Sequence, residues 1–370
     1  MKRFLASRPG MITAGGIIGA TSAGLVYFGN PANMGICVAC FARDMAGALG
    51  LHRAGVVQYI RPELMGFVFG SLASALAFRE FRPRGGSAPV LRFVLGFFAM
   101  AGALVFLGCP WRALARLAGG DLNAVTGIAG LAAGIAMGVW FLKNGYNLGR
   151  STTSRPAVGW VMPVFMLFLF LLLVFEVKFT PEGPIFFSST GPGSMHAPLC
   201  ISLGAGFLVG VLAQRTRFCT MGALRDLILL RDIHLLSGAI AFLTTAFVVN
   251  LIIGKFNVGL ALQPIAHSNH LWNFLGMALS GLCFALAGGC PGRQFFMSGE
   301  GDGDASVFVF GMLVGAAFAH NFNLAGSPDR FDKATQVLTV GGPSVWGQAA
   351  VLIGWVIALA IGFSMRERET

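Results

Sequence analysis

Two five-residue stretches carry the most distinctive chemistry in this chain. Gly108-Cys109-Pro110-Trp111-Arg112 and Gly289-Cys290-Pro291-Gly292-Arg293 each close a long apolar run and open a short one. Proline suits the first turn of a helix, where its missing N–H is no loss. Glycine lets the chain turn and lets a backbone or a ligand approach closely. A helix start offers free N–H groups to an anion and lowers the pKa of a nearby thiol, and Arg112 and Arg293 add fixed positive charge. A thiol, a positive helix end and a guanidinium together make a station for a soft anion. A lone free cysteine is more often a small packing residue; the duplication sets these two apart.

A second pattern is also doubled. Cys37 is followed by Arg43-Asp44 and Cys219 by Arg225-Asp226. Seven residues are about two helical turns, so each aspartate returns to the face of its cysteine. Charges inside a membrane usually pair with something, so Arg43–Asp44 and Arg225–Asp226 read as structural ion pairs that fix short helices. Cys37-Val38-Ala39-Cys40 is a CxxC that could be a redox pair or half a metal site. With no second CxxC and no histidine at zinc-finger spacing, Cys37 is assigned to the repeat and Cys40 is taken as incidental. Cys200 and Cys283 have no counterparts and are assigned to packing. His320 reads as a satisfied core histidine, and Glu300, Asp302 and Asp304 as a polar turn without EF-hand spacing. No Walker A sequence and no nucleophile–base pair is present, so neither an enzyme nor a cofactor or metal is expected.

The elements that must hold these residues are membrane helices. The chain is 55% hydrophobic and only 11% charged, against about 25% charged in soluble domains, so much of its surface must face lipid. Its net charge of +11 sits in short connections between apolar runs, which argues against nucleic acid and for a positive-inside pattern. Ten candidate spans follow: 11–29, 62–80, 89–108, 124–142, 157–177, 199–213, 235–254, 270–289, 305–322 and 346–365, of which 199–213 is short enough to be broken or tilted. The stretches 33–50, 110–118, 216–231 and 291–298 read as short or re-entrant helices, which survive at membrane depth only when packed in protein or lining a cavity. The N-terminal cluster Lys2, Arg3 and Arg8 falls on one side, with Arg79, Arg82, Arg84 and Arg92, with Lys143, Arg150 and Arg155, with Arg215, Arg217, Arg225 and Arg231, and with Arg366 and Arg368. Thr180–Pro198 has no Lys or Arg and belongs outside, and the near-neutral Gly326–Pro343 loop is a weak exception.

The doubled motifs lie at one offset, since 290 − 109 = 181, and Gly120-Asp121, Ala124, Gly130 and Gly134 recur at Gly301-Asp302, Ala305, Gly311 and Gly315. Five candidate spans per repeat would invert the second half on the first, an arrangement that places transporter sites near the midplane between repeats. The fold expected is therefore all-α: a polytopic helical membrane protein with an inverted pseudo-two-fold repeat and short re-entrant helices. Residues 1–177 would form the first half, 178–198 an external connecting loop and 199–370 the second half.

Ala213-Gln214-Arg215-Thr216-Arg217-Phe218-Cys219 with Arg225-Asp226, and Leu286-Ala287-Gly288-Gly289-Cys290, resemble the YeeE/YedE family of membrane proteins, whose characterised members are thiosulfate transporters. The likeness looks closest to the branch linked to selenium metabolism. The resemblance implies a pseudo-symmetric helical fold with a central line of cysteines that passes an anion by S–H hydrogen bonding. The family's Gly-Cys elements correspond to Cys109 and Cys290, and its other cysteine position to Cys37 or Cys219. This chain departs from the thiosulfate members in having both Cys37 and Cys219, in having Cys40, and in placing Pro and Arg after each Gly-Cys.

The expected function is transport of a small selenium- or sulfur-containing solute, selenium compounds first and thiosulfate second, across a bacterial inner membrane with both termini cytoplasmic. The expected pathway comprises Cys37, Cys109, Cys219, Cys290, Arg112, Arg293, Gly108 and Gly289, with Arg112 and Arg293 near its two mouths. A membrane thiol-dependent enzyme, or a scaffold delivering selenium or sulfur to a cytoplasmic thiol carrier protein, stays open as an alternative. Reporter fusions test the topology: one at Arg84 and one at the C terminus should read cytoplasmic and one at Pro192 periplasmic. A periplasmic signal at Arg84 would reject the arrangement.

Overall fold

The computed structural model describes residues 2–177 and 185–366, with only the backbone of Lys2 and Arg3. Residues 178–184 of the connecting loop, the side chains of Lys2 and Arg3, and Arg368 lie outside the described residues. The chain is mostly helical. In order run α1 (Lys2–Leu5), α2 (Arg8–Tyr27), α3 (Val38–Ala48), α4 (Pro62–Ala77), α5 (Pro89–Phe106), α6 (Pro110–Ala118), α7 (Asn123–Lys143) and α8 (Pro156–Val174). Then follow α9 (Leu199–Thr216), α10 (Thr220–Leu230), α11 (His234–Ile252), α12 (His270–Ala287), α13 (Pro291–Gly299), α14 (Gly303–Asn321) and α15 (Val345–Ser364). After α1, the order long, short, long, long, short, long, long occurs twice. The only strands among the described residues form two small antiparallel pairs: β1 (Arg84–Gly85) with β2 (Thr152–Thr153), and β3 (Arg330–Asp332) with β4 (Val337–Thr339).

Among the described residues, nine helical stretches are long and apolar enough to cross a membrane, and three of these join a long helix to the short one after it: α5–α6, α9–α10 and α12–α13. The tenth expected span, 62–80, is shorter than the sequence suggested. It starts at Pro62 and stops at Ala77, and Arg79 turns left-handed at φ 58°. Sixteen residues rise about 24 Å, less than the ~30 Å hydrocarbon core. Conversely, the stretch read as short or broken at 199–213 is the continuous eighteen-residue α9. The basic connections share one end of the bundle. Arg84 pairs with Asp302 at 2.8 Å and Arg215 with Glu80 at 2.7 Å, and Ser151 donates to Asp304 at 2.6 Å. The stretch taken as a polar turn thus does more: Asp302 caps α14, and Asp304 accepts from the N–H groups of Gly86 and Ser87.

Packing crosses between the first and second halves of the chain. α2 lies on α11 and α4 on α9; α7 lies on α12 and α5 on α14; α5 and α12 also meet each other. Small residues let these backbones touch, as they do where helices pack in lipid. A Cβ at Gly130 or Gly134 of α7 would land on the carbonyl of Phe274 or Ala278 in α12, and one at Gly311 of α14 would land on that of Phe93 in α5. Residues 93 and 274 are separated by the same 181 positions as Gly130 and Gly311. Gly134→Val should therefore overpack the α7–α12 seam and lower stability by about 1–3 kcal/mol. Gly24, with nothing within 4 Å of its added Cβ, should tolerate alanine without loss. Thermal unfolding of the purified protein in detergent makes the comparison; equal melting of the two variants would reject it.

Candidate functional site: two groups of helix-capping cysteines

All four doubled cysteines stand at the same kind of place. Cys37, Cys109, Cys219 and Cys290 are the N-caps of α3, α6, α10 and α13, the four short helices. The thiols of Cys37 and Cys219 accept from the N–H groups of Cys40 and Gly222, each at 3.3 Å, as N-cap side chains do. Proline opens α6 and α13. The turning residues are not the glycines expected. Leu107 and Gly288 take the left-handed conformation, at φ 64° and 84°. Gly108 and Gly289 instead make room for an arginine: a Cβ at Gly108 would meet Arg112 Cδ at 2.7 Å, and one at Gly289 would meet Arg293 Cγ at 3.2 Å.

The cysteines gather in two groups. In the first, Cys37 Sγ lies 2.8 Å from Cys40 Sγ and 3.9 Å from Cys109 Sγ, and all three residues are fully buried. Cys40, taken as incidental from the sequence, thus lies in direct contact with Cys37 and Arg112. Arg112 is not near a mouth but wholly buried beside these thiols. It donates to Cys40 Sγ at 3.3 Å, to the carbonyls of Asn33 at 3.2 Å and Ile265 at 2.9 Å, and to Leu107 O. Among the described residues it has no carboxylate partner. A buried cation flanked by thiols and carbonyl oxygens leaves net positive charge in the interior, which suits an anion.

In the second group the Cys290 N–H points at Cys219 Sγ, 3.5 Å away. This group meets a cavity of about 490 Å³ whose wall includes Cys219, Arg215, Arg217, Arg225, Asp226 and Arg293. Arg293 lines that cavity, 3.4 Å from Glu300. One thiol group is therefore sealed around a cation, and the other adjoins an arginine-rich chamber.

The Arg-Asp pairs also diverge. Arg43 and Asp44 are buried and joined at 2.7 Å. Arg61, not foreseen from the sequence, binds the second oxygen of Asp44 at 2.7 Å, lies 4.6 Å from the Phe41 ring, and donates to the carbonyls of Pro192 and Met195. The only local hint was a charge just before Pro62 at a helix start. Arg225–Asp226 is joined at 2.8 Å but its side chains are 33% and 14% exposed. Also unforeseen are the buried Arg116–Asp121 pair at 2.5 Å and Glu63, which accepts from Asn30 and Ser202. Two bland readings fail. His320 lies against His52 with ring centroids 4.7 Å apart and planes tilted by 36°, and its Nε2 has no partner among the described residues. Cys200 is exposed on the outside of α9, whereas Cys283 is buried as expected.

Nine helical stretches long and apolar enough to cross a membrane among the described residues, with interrupted helices and buried ion pairs between them, define a multi-pass membrane protein. Comparison with known proteins places it further. Residues 215–370 match the family model described as sulphur transport. The chain is 28% identical over 182 residues to the thiosulfate transporter TsuA of Spirochaeta thermophila, across 45% of this chain and 54% of that protein. It is 24% identical over 170 residues to TsuA of Escherichia coli, across 44% and 48%. The chain thus spans about half the length of the curated relatives it matches. These matches bear out the resemblance to the YeeE/YedE family that the motifs carry.

The two Arg-Asp pairs make a contrast that can be measured. Arg61→Met strands Asp44 with one of its two cations gone and should destabilise the protein by about 3–5 kcal/mol. Arg225→Met breaks a partly exposed pair and should change stability by no more than about 1 kcal/mol. Thermal unfolding in detergent reads both, and an Arg61→Met protein as stable as the wild type would overturn the assignment.

Proposed function

We propose that this protein is a transporter, not an enzyme, for a small soft anion of sulfur or selenium, passed between the two thiol groups. The observation that carries the proposal is the placement of four cysteines at four buried helix starts, in two groups that each adjoin an arginine. A hard oxyanion such as phosphate is best held by arginine forks and backbone amides and gains little from a thiol. A polarisable sulfur or selenium atom suits cysteine sulfur better. Several thiols in sequence offer an anion weak, repeated contacts, and conduction needs such weak, multiple sites.

Because the matched relatives are thiosulfate transporters, thiosulfate becomes the first solute to test, with reduced selenium species beside it. The exchange of partners between helix pairs fits an inverted two-fold relation between residues 1–177 and 199–370, with 178–198 outside. The positive-inside distribution then puts both termini and the arginine-rich chamber on the cytoplasmic face of a bacterial inner membrane. A small cytoplasmic thiol carrier would receive the solute there. One observation favours a second reading: Cys37 and Cys40 are close enough for dithiol redox chemistry. Uptake of labelled thiosulfate into sealed vesicles without chemical turnover separates the two.

Vesicles holding the wild-type protein should take up thiosulfate, and unlabelled selenite or selenide should compete where sulfate and phosphate do not. Cys109→Ala with Cys290→Ala should reduce uptake by at least tenfold, while Cys283→Ala leaves it intact. Equal competition by sulfate would sink the soft-anion proposal, and full uptake in the double variant would sink the thiol pathway.

A further inference from the structure

Positions 111 and 292 occupy the same place in the two Gly-Cys-Pro motifs, yet they hold the largest and the smallest side chains. Trp111 is fully buried and lies directly against Gly292: a Cβ there would sit 3.1 Å from Trp111 Cε2 and Cζ2 and 3.5 Å from Nε1. Trp111 is two residues beyond Cys109, and Gly292 is two beyond Cys290. The ring also packs edge-on against Phe218, the neighbour of Cys219, with centroids 5.3 Å apart. Phe67, Phe242 and Phe296 complete an aromatic collar, at 5.8, 6.1 and 5.8 Å. One indole therefore follows Cys109 of the first thiol group and touches the chain beside both cysteines of the second. Its Nε1–H, on the edge turned toward Gly292, is buried with no hydrogen-bond partner among the described residues. A buried donor left without an acceptor is destabilising, and such groups usually have a partner.

We infer that Trp111 is both the plug between the two thiol groups and the donor that hands the anion across, its ring excluding hydrated ions and its Nε1–H receiving the acceptor that the resting protein lacks. The inference rests on the transport reading. An apolar collar bars hydrated ions by keeping the constriction dry, while a weakly hydrated soft anion sheds its water more easily and gains one hydrogen bond at the narrowest point. The thiols then need not touch across the gap.

Proteoliposomes test the two parts separately. Trp111→Phe keeps a ring and removes the donor; it should slow thiosulfate uptake about tenfold, the equivalent of one hydrogen bond to a charged group, while the vesicles stay tight to sulfate. Trp111→Ala removes the plug and should admit sulfate at a rate the wild type never shows. Should that variant not yield folded protein by size exclusion, Gly292→Ala, which presses a methyl group onto the ring, should slow thiosulfate uptake without a sulfate leak. Wild-type rates in Trp111→Phe overturn the donor role, and sulfate-tight Trp111→Ala or unaltered Gly292→Ala overturns the plug. If wild-type vesicles themselves take up no thiosulfate, the transport reading falls and this inference with it. A wild type that transports beside an unaffected Trp111→Phe removes the donor role alone.

Discussion

A helix that stops inside a membrane leaves its last carbonyls where water cannot reach them, and satisfying those carbonyls is the constraint on which this structure depends. α5 ends at Phe106 and α12 at Ala287, well inside the bundle. The end of α5 is met group by group: Gly326 N–H bonds Leu104 O at 3.0 Å, His267 Nε2 faces Val105 O at 2.8 Å, Arg116 Nη1 donates to Phe106 O at 2.8 Å, and Arg112 takes Leu107 O. The end of α12 is met by the Tyr146 hydroxyl on Leu286 O at 3.2 Å and by Arg92 Nη1 on Ala287 O at 3.0 Å. Neutral water would have served a soluble protein. Here cationic and ring donors do the work, and they bring buried positive charge to the place where the cysteines begin the next helices.

This requirement explains the order of residues in the motif. The break needs a left-handed turn, supplied by Leu107 or Gly288. The helix restart needs proline, whose missing N–H is one fewer donor to satisfy. The N-cap must be small and weakly polar, and cysteine meets this without bringing a strong acceptor that would compete for the arginines. The arginine three residues on needs the space that Gly108 or Gly289 leaves. The left-handed residue and the glycine, cysteine, proline and arginine that follow it thus each serve the break itself.

The parts legible in the sequence are those fixed by neighbours along the chain. Apolar runs marked nearly every span, and Pro110 and Pro291 located α6 and α13 to within a residue. The cysteine positions at helix starts could be read because Cys-Pro and Cys followed by Arg-Asp are local patterns. The parts that escaped are those fixed across the chain. Arg61 reaches Asp44 and the carbonyls of Pro192 and Met195, and no spacing announces it. Cys40 looked incidental because its partners are Cys37, four positions along counting both ends, and Arg112, seventy-two residues away. Arg112 and Arg293 were given the same place because they share a motif. The motif is the same in both, but only tertiary packing decides which copy is enclosed.

That difference between the two motifs bears on the transport proposal. The backbone devices are shared: four short helices with cysteine at the N-cap position, two breaks, glycine seams on the same partners. The side chains around them are not. Arg116 stands where the second motif has Met297, and Trp111 where it has Gly292. The Arg43–Asp44–Arg61 cluster is dry, whereas Arg225–Asp226 is partly exposed beside a chamber. A scaffold kept for packing alone has no reason to seal one thiol group around a guanidinium without a carboxylate partner among the described residues and to open the other to an arginine-lined cavity. Under the transport proposal the asymmetry has one: an open vestibule would gather an anion at long range, and a closed station with fixed positive charge would hold it once its water is gone.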